Sequence, residues 1–348
     1  MYRPPRCPNR RCPNHLFPAP LFYWRNGFYQ PKCRSQPQRR FRCRACRLSF
    51  SRQTFRMDYR DHKPHLNALL FESIASGLGL RQNARNLGLS LRSTELKFRK
   101  IGRHLWRLNA NLRGPLPKGA TFQLDEFETY EGRRNTRPLS VPVLIETETR
   151  FVVWAEPATI RPRGKRTAAR ERAIRADEKR HGKRVDRSRR ALRRTLRRAA
   201  AMAAGLERVV LHTDEKSSYP KLAAEAFGAE RLEHRTTNSR LARGTWNPLF
   251  AINHTEAMLR DLLGRLRRES WLVSKKRRYL NLALHYFAAY RNYVRRRFNR
   301  DQESPAQLLG FTERRAEPTE LLSWRQDWGA LSPHPLASGT RPVAKLRA

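Results

Sequence analysis

Three carboxylates, Asp125, Asp214 and Glu256, sit in short apolar settings within a chain that carries 74 Lys and Arg against 30 Asp and Glu, a formal charge of +44. In so basic a protein most acidic side chains are expected to neutralise a cationic neighbour. Carboxylates on apolar elements suit another use, because hard divalent cations prefer oxygen ligands; the trio is a candidate site for Mg²⁺ or Mn²⁺. Cleaving and joining phosphodiesters calls for such ligands, since two ions ~4 Å apart activate the attacking oxygen and stabilise the leaving one. His212, His234 and His254 need not coordinate such ions and are read as structural or DNA-facing.

A second set of ligand-bearing residues lies at the N-terminus, where all five cysteines fall within the first 46 residues. Cys7-x4-Cys12 and Cys43-x2-Cys46 are two close pairs that a hairpin brings together, giving four thiolates for a tetrahedral, structural Zn²⁺. Pro8 and Pro13 each follow a cysteine in Cys-Pro-Asn, so each pair reads as a tight turn. This is a zinc-ribbon pattern. Cys33 is left over, and either it or His15 is an alternative for one of the four places. Disulfides fit poorly with cysteines confined to one basic module. Phe22, Tyr23, Trp24, Arg25, Tyr29, Arg39, Arg40 and Phe41 suit a finger lying against nucleic acid or, equally, its small core.

The elements that must position these residues follow from periodicity. Leu66, Leu69, Leu70 and Ile74 recur at helical spacing, Gly77-Leu78-Gly79 breaks the run, and a short helix follows from Leu80 to Leu87. Ser90 then caps a longer helix with Leu96, Ile101 and Leu105 inward and Arg92, Lys97, Arg99 and Lys100 outward. This outlines a helix-turn-helix, whose last helix enters the major groove with Arg92, Ser93 and Lys97 as candidate readers. Any basic three-helix bundle shows a similar period. Gly114 to Gly119 reads as a linker.

Beyond it, Thr121–Thr129, Leu139–Glu146 and Phe151–Glu156 read as an antiparallel meander, with Phe122 and Leu124 on one face and Asp125 on the other. Arg208–Leu211 is a buried strand leading to Asp214, Tyr219–Phe227 a helix, and Arg231–Glu233 an edge strand. From Ile252 a helix puts Glu256, Leu259, Leu263 and Leu266 on one stripe and Asp261 in solvent. The competing role for Glu256 is an exposed pair with Arg260, four residues on. The element order is that of a ribonuclease H-like core, an α+β fold with a mixed sheet flanked by helices.

Leu124-Asp125-Glu126, His212-Thr213-Asp214 and Asn253-His254-Thr255-Glu256 resemble, in order, the three catalytic motifs of bacterial insertion-sequence transposases of the DDE type. The zinc ribbon and helix-turn-helix are similar to modules that some members carry ahead of the catalytic domain, so the resemblance runs to about Gly310. It implies a polynucleotidyl transferase that binds its element's ends in double-stranded DNA, cleaves strands and transfers them, with Asp125 bridging two ions, Asp214 on one and Glu256 on the other, and Asn253 in support. It also implies a cytoplasmic, nucleoid-associated protein that works as a homodimer or larger assembly on DNA. The chain departs from the family in its long spacing before Glu256 and in Glu256-Ala257-Met258, where a basic or polar residue often follows the glutamate. A nuclease without strand transfer and a non-catalytic DNA-binding regulator are the alternative readings.

These readings divide the chain into a zinc ribbon (1–60), a helix-turn-helix (61–112), a catalytic domain (119–310) with a basic insertion at about 161–198, and a C-terminal extension (311–348) that frays from Ser332. In the insertion, Arg161–Val185 is almost free of apolar residues and is expected to be disordered. The second half is expected to be a helix anchored by Leu192 and Leu196, whose Arg189, Arg190, Arg193, Arg194 and Arg197 form a positive band along DNA. Leu280, Leu284, Phe287, Val294 and Phe298 mark a long helix, in which Tyr286, Tyr290 and Tyr293 pack rather than act as nucleophiles. A sequence pI near 11.5 points to nucleic acid as partner, although ribosomal proteins carry similar solvated charge. Neither a membrane-spanning run nor a signal-peptide core is present, which fits a soluble intracellular protein.

Overall fold

The computed structural model describes residues 2–32, 35–111, 114–165, 167–267 and 275–324. Cys33 and the tail from Ser332 lie outside them. Among the described residues no helix is long and apolar enough to cross a membrane.

The N-terminal unit has a single helical turn α1 (Pro13–Leu16) and three antiparallel strands, β1 (Tyr23–Tyr29), β2 (Gln38–Cys43) and β3 (Ser49–Ser51), in that order. Its own apolar cluster holds Phe22, Phe41, Phe50 and Phe55 beside Cys7, Cys12 and Cys43. The aromatic residues of this unit therefore divide between core and surface. Phe22 and Phe41 are core, whereas Trp24 and Phe28 are exposed with Arg47 and Arg39 each 4.5 Å above their rings.

Three helices follow, α2 (Leu66–Ala75), α3 (Leu80–Asn86) and α4 (Leu91–Asn111). Gly77 and Gly88 adopt φ of 93° and 57°, which a side chain would resist, and so set the two turns. Ser90 Oγ accepts the N–H of Ser93 at 3.1 Å and caps α4. The buried stripe of α4 is Thr94, Phe98, Ile101, Leu105 and Leu108, with Ile101 and Leu105 inward as expected; the corrections fall on Leu96 and Lys97. Leu96 is exposed, as is Leu69 on α2. Lys97 points inward, where Nζ donates to Asn67 Oδ1 at 2.8 Å, to the Lys63 carbonyl at 2.8 Å and to Asp61 Oδ2 at 3.2 Å.

The larger sheet contains β4 (Thr121–Tyr130), β5 (Pro138–Glu146), β6 (Val152–Ala155), β8 (Val209–Asp214) and β9 (Leu232–Thr237), ordered β6-β5-β4-β8-β9. The short β7 (Ala158–Thr159) pairs with β5. The first three strands form the antiparallel meander, while β8 and β9 run parallel to β4. Both faces are covered, as the near-continuous apolar run Leu139 to Ile145 requires. Phe122 meets Phe227 of α7 (Tyr219–Phe227), and the next residue, Gln123, meets α8 (Phe250–Leu262). Successive strand residues point to opposite faces, so these helices flank the sheet.

The insertion is folded. Its first half, expected to be disordered, contains α5 (Ala168–His181), capped by Thr167 and seated by the buried Ile174. Arg184 then ties the chain to Glu131, Pro138 O and Ile160 O. Counting apolar residues missed this, because arginine hydrogen bonds to carbonyls anchor a segment that one isoleucine packs. The second half is α6 (Ser188–Met202), held by buried Leu192 and Leu196 as the sequence implies.

After α8 come the turn α9 (Gly264–Arg267), α10 (Arg277–Ala289), a π-turn at Tyr290–Val294, and short helices α11 (Pro305–Leu308) and α12 (Pro318–Ser323). Two expected helices are thus shorter than their patterns: α8 stops before Leu266, and the α10 segment stops before Phe298. Tyr286 and Tyr293 are buried packing residues. Residues of α2, α4 and α10 belong to the same apolar cluster as the sheet, so the linker at 114–119 does not separate two cores. Leu116 N–H donates to Met202 O at 3.2 Å, fixing that connection.

Candidate active site and metal centre

Parallel pairing of β4 and β8 brings the two aspartates together. The ladder matches Thr121 with Val210, Phe122 with Leu211 and Gln123 with His212. Continuing it by two residues puts Asp125 level with Asp214, where the strands part. Glu256 arrives from α8, one turn beyond Ile252, whose N–H donates to Gln123 Oε1 at 2.9 Å; Gln123 Nε2 donates to Pro248 O at 2.8 Å. The three carboxylates line one cavity of about 240 Å³ together with Asn253, Arg243, Asn247 and Arg260.

Neighbouring acidic residues are distinguished by their partners. Glu126 points to the opposite face of β4, where Ser140 Oγ donates to it at 2.7 Å, Tyr219 at 3.3 Å, and Lys216 closes an ion pair. Asp261 is exposed and pairs with Arg267. Glu256 is 2% exposed; Oε2 lies 3.4 Å from Arg260 Nη2, and Oε1 is buried without a partner. The carboxylate is inward, as its helical phase implies, and its contact with Arg260 is a long one to a buried oxygen rather than the expected exposed pair.

Burial pushes the Asp125 carboxyl up; the N–H of Glu126, donating at 2.6 Å, pulls it part-way back, and the charge of Asp214 adds to the rise. Burial likewise raises Glu256, to about 8, with Asp125 adding to the shift and Arg260 and Arg243 opposing it. Apposed carboxylates with an unpartnered buried oxygen suit a cation as their missing counter-charge. Their oxygens do not converge as a single-ion cage does: among the described residues, the group of three or more candidate ligands within 4.8 Å of one another is the four cysteines. An all-oxygen set spread around a cavity fits ions that keep part of their water shell.

No family model matches this chain, and no curated protein matches its sequence. The chemistry therefore rests on the residues.

The cysteine site is compact. Cys7 Sγ lies 3.5 Å from Cys46 Sγ, and Cys12 Sγ lies 3.7 Å from Cys43 Sγ. Four sulfurs at ~2.3 Å from a tetrahedral Zn²⁺ stand about 3.8 Å apart. The four cysteines thus fit a structural zinc. His15 does not take one of the places: Nδ1 is 2.8 Å from Cys7 O, and Nε2 is 3.3 Å from Arg6 Nη1.

The expected DNA-contacting residues separate. Arg92 is exposed on the first turn of α4, and Ser93 is occupied by the Ser90 cap, its Oγ accepting from Ser90 Oγ at 2.9 Å. Lys97 is withdrawn as a reader of bases because its ammonium is internal. On α6, Arg189, Arg190 and Arg197 face solvent, but Arg193 pairs with Glu225 and Arg194 with Glu156, so the positive band is interrupted.

His212 bonds Thr237 Oγ1 at 2.7 Å, and His234 bonds Thr213 Oγ1 at 2.9 Å, consistent with structural roles. The sequence reading missed Gln123, Arg243 and Asn247. For Gln123 a signal existed, since it shares the face of β4 with Asp125 at the two-residue strand period.

Proposed function

We propose that the chain is a DNA transposase that binds element ends and cleaves and transfers strands at the Asp125, Asp214 and Glu256 site. The observation that carries this reading is the meeting of these carboxylates in one cavity from two parallel strands and a helix, with Glu256 Oε1 buried and unpartnered. The strand order β6-β5-β4-β8-β9, an antiparallel meander extended by two parallel strands, supports a ribonuclease H-like core. The basic surface supports double-stranded DNA as partner, and joining two ends favours at least two protomers.

Asp125, Asp214 and Glu256 would hold Mg²⁺ or Mn²⁺, which supplies activation of the attacking oxygen and stabilisation of the leaving one. Gln123 holds α8 at β4 and so fixes the approach of Glu256. Arg243 and Arg260 place positive charge on the cavity lining, where a phosphate enters against the carboxylates. In cleavage, a water oxygen bonds to phosphorus as the bond to the 3′ oxygen breaks, freeing a 3′-OH. In transfer, that hydroxyl attacks a target phosphodiester, and the target's own 3′ oxygen leaves.

The test compares Mg²⁺-dependent nicking and joining of a labelled 3′-OH oligonucleotide by the wild type, Asp125→Asn and Asp214→Asn. Loss of both reactions in both variants supports the proposal. Nicking that survives both substitutions rejects the site. Nicking without joining in the wild type identifies a nuclease, and salt-sensitive binding without cleavage a regulator.

A further inference from the structure

A second cavity, of about 380 Å³, lies along β4 next to the acidic one. Glu128 lines both, so they adjoin across that residue. Five arginines from four parts of the chain converge on the second: Arg134 from the β4–β5 hairpin, Arg161 and Arg163 after β7, Arg170 on α5 and Arg265 on α9. Against them stands one lining carboxylate, Glu128, with Oε1 3.8 Å from Arg163 Nη1. Arg170 is aimed by hydrogen bonds to the carbonyls of Lys165 and Arg163, at 3.1 and 2.7 Å, which fix the guanidinium without neutralising it. Arg163 also pairs with Asp186 at 3.8 Å, and Arg265 lies 5.1 Å from the Phe98 ring, so the excess of positive charge on this concave surface is carried chiefly by Arg134, Arg161 and Arg170. Like charges gathered in this way call for a polyanionic occupant.

We infer that this cavity seats backbone phosphates of the DNA whose cut phosphodiester occupies the acidic cavity, and that the insertion exists to complete it. The inference deepens the proposed function and rests on it for the identity of the strand. The spacing is defined: Thr129 lines the arginine cavity four residues beyond Asp125, about 13 Å at ~3.3 Å per strand residue. That length corresponds to about four base steps at ~3.4 Å each along a duplex. The seated phosphates should therefore lie about four nucleotides from the cut.

Arg134 and Arg161 are exposed, so their replacement spares the core. Binding of a short DNA duplex is measured against salt for the wild type, for Arg134→Gln with Arg161→Gln, and for the matching pair of lysine substitutions. Each phosphate contact contributes about 0.9 to the slope of log K against log salt. The glutamine pair should lower the slope by about 1.8 with an unchanged melting temperature, and the lysine pair should retain it. An unchanged slope in the glutamine pair overturns the inference, as does an equal loss in the lysine pair. Neither readout needs cleavage, so a chain that binds with the expected slope change but never nicks rejects the catalytic reading and keeps the phosphate site. Where nicking is seen, methylphosphonates scanned along the duplex should weaken wild-type binding about four nucleotides from the nick and have no such effect there on the glutamine pair.

Discussion

Gln123 Oε1 accepts the backbone N–H of Ile252 at 2.9 Å, joining strand β4 to the first turn of helix α8. The same amide donates to Pro248 O at 2.8 Å, so one side chain clamps the entry to the helix that delivers Glu256. Asp125 lies two residues along the strand on the same face. The separation between the first and third carboxylates is therefore set through Gln123. Gln123→Leu leaves a buried N–H and carbonyl without partners, at a cost of about 1–3 kcal/mol each. The expected outcome is a loss of Mg²⁺-dependent nicking of about tenfold or more, with DNA affinity unchanged. Gln123→Glu keeps the acceptor for Ile252 and should recover part of the rate, which a loss due only to core packing would not produce.

The pH dependence of stability follows from Glu256. Its folded carboxyl is raised from the ordinary 4.5 to about 8, so between those values the folded state binds the proton more tightly than the unfolded chain. This stabilisation is fully present below the unfolded value and is lost as pH rises through about 8. Metal-free protein should thus lose melting temperature as pH rises across that window, and Glu256→Gln should flatten the loss. Added Mg²⁺ should raise melting temperature most at the alkaline end, where the carboxylate is free to bind it. A calorimetric pH series with chelator and with Mg²⁺ measures both effects.

Local patterns revealed much of this molecule. The strand leading to Asp214 follows from period two and the inward phase of Glu256 from period 3.6, because one face of each is the more deeply buried, whereas β5 shows as a near-continuous apolar run because both its faces are covered. The phase of α4 was legible at Ile101 and Leu105 but not at Leu96, which is exposed, or at Lys97, which is buried. Lys97 is buried through its bonds to Asp61 and Asn67, which are distant in sequence and leave no periodic trace. The fold of the insertion's first half was illegible for a similar reason, since Arg184 is satisfied by groups on other segments. Gln123 shows the same limit from the other side: its spacing to Asp125 is local, but its partners at Pro248 and Ile252 become neighbours only after the sheet and α8 assemble.

Removing zinc should act on one part of the molecule. The ribbon's aromatic cluster is separate from the main core, and its strands enclose little apolar volume besides four phenylalanines. A small module of this kind takes folding energy from its metal. Chelation, or Cys43→Ser, should therefore abolish amide-exchange protection across β1–β3 while leaving β4, β5 and β8 protected. Hydrogen exchange read by mass spectrometry distinguishes this from unfolding of the whole chain.

The main core should be far less divisible. At Gly102 of α4, an added Cβ would lie 2.8 Å from Leu282 Cβ of α10, closer than two such carbons approach. The glycine thus permits the close crossing through which α2–α4 and the helices behind the large sheet share one interior. Gly102→Ala gains helix propensity of about 1 kcal/mol on α4, but overpacking this contact costs about 1–3 kcal/mol. The net effect should be destabilising. If the two regions form one cooperative unit, denaturation of Gly102→Ala should remain a single transition at lower denaturant, with tryptophan fluorescence and far-ultraviolet circular dichroism shifting together. An early transition confined to the helices would instead show that α2–α4 unfold independently of the sheet.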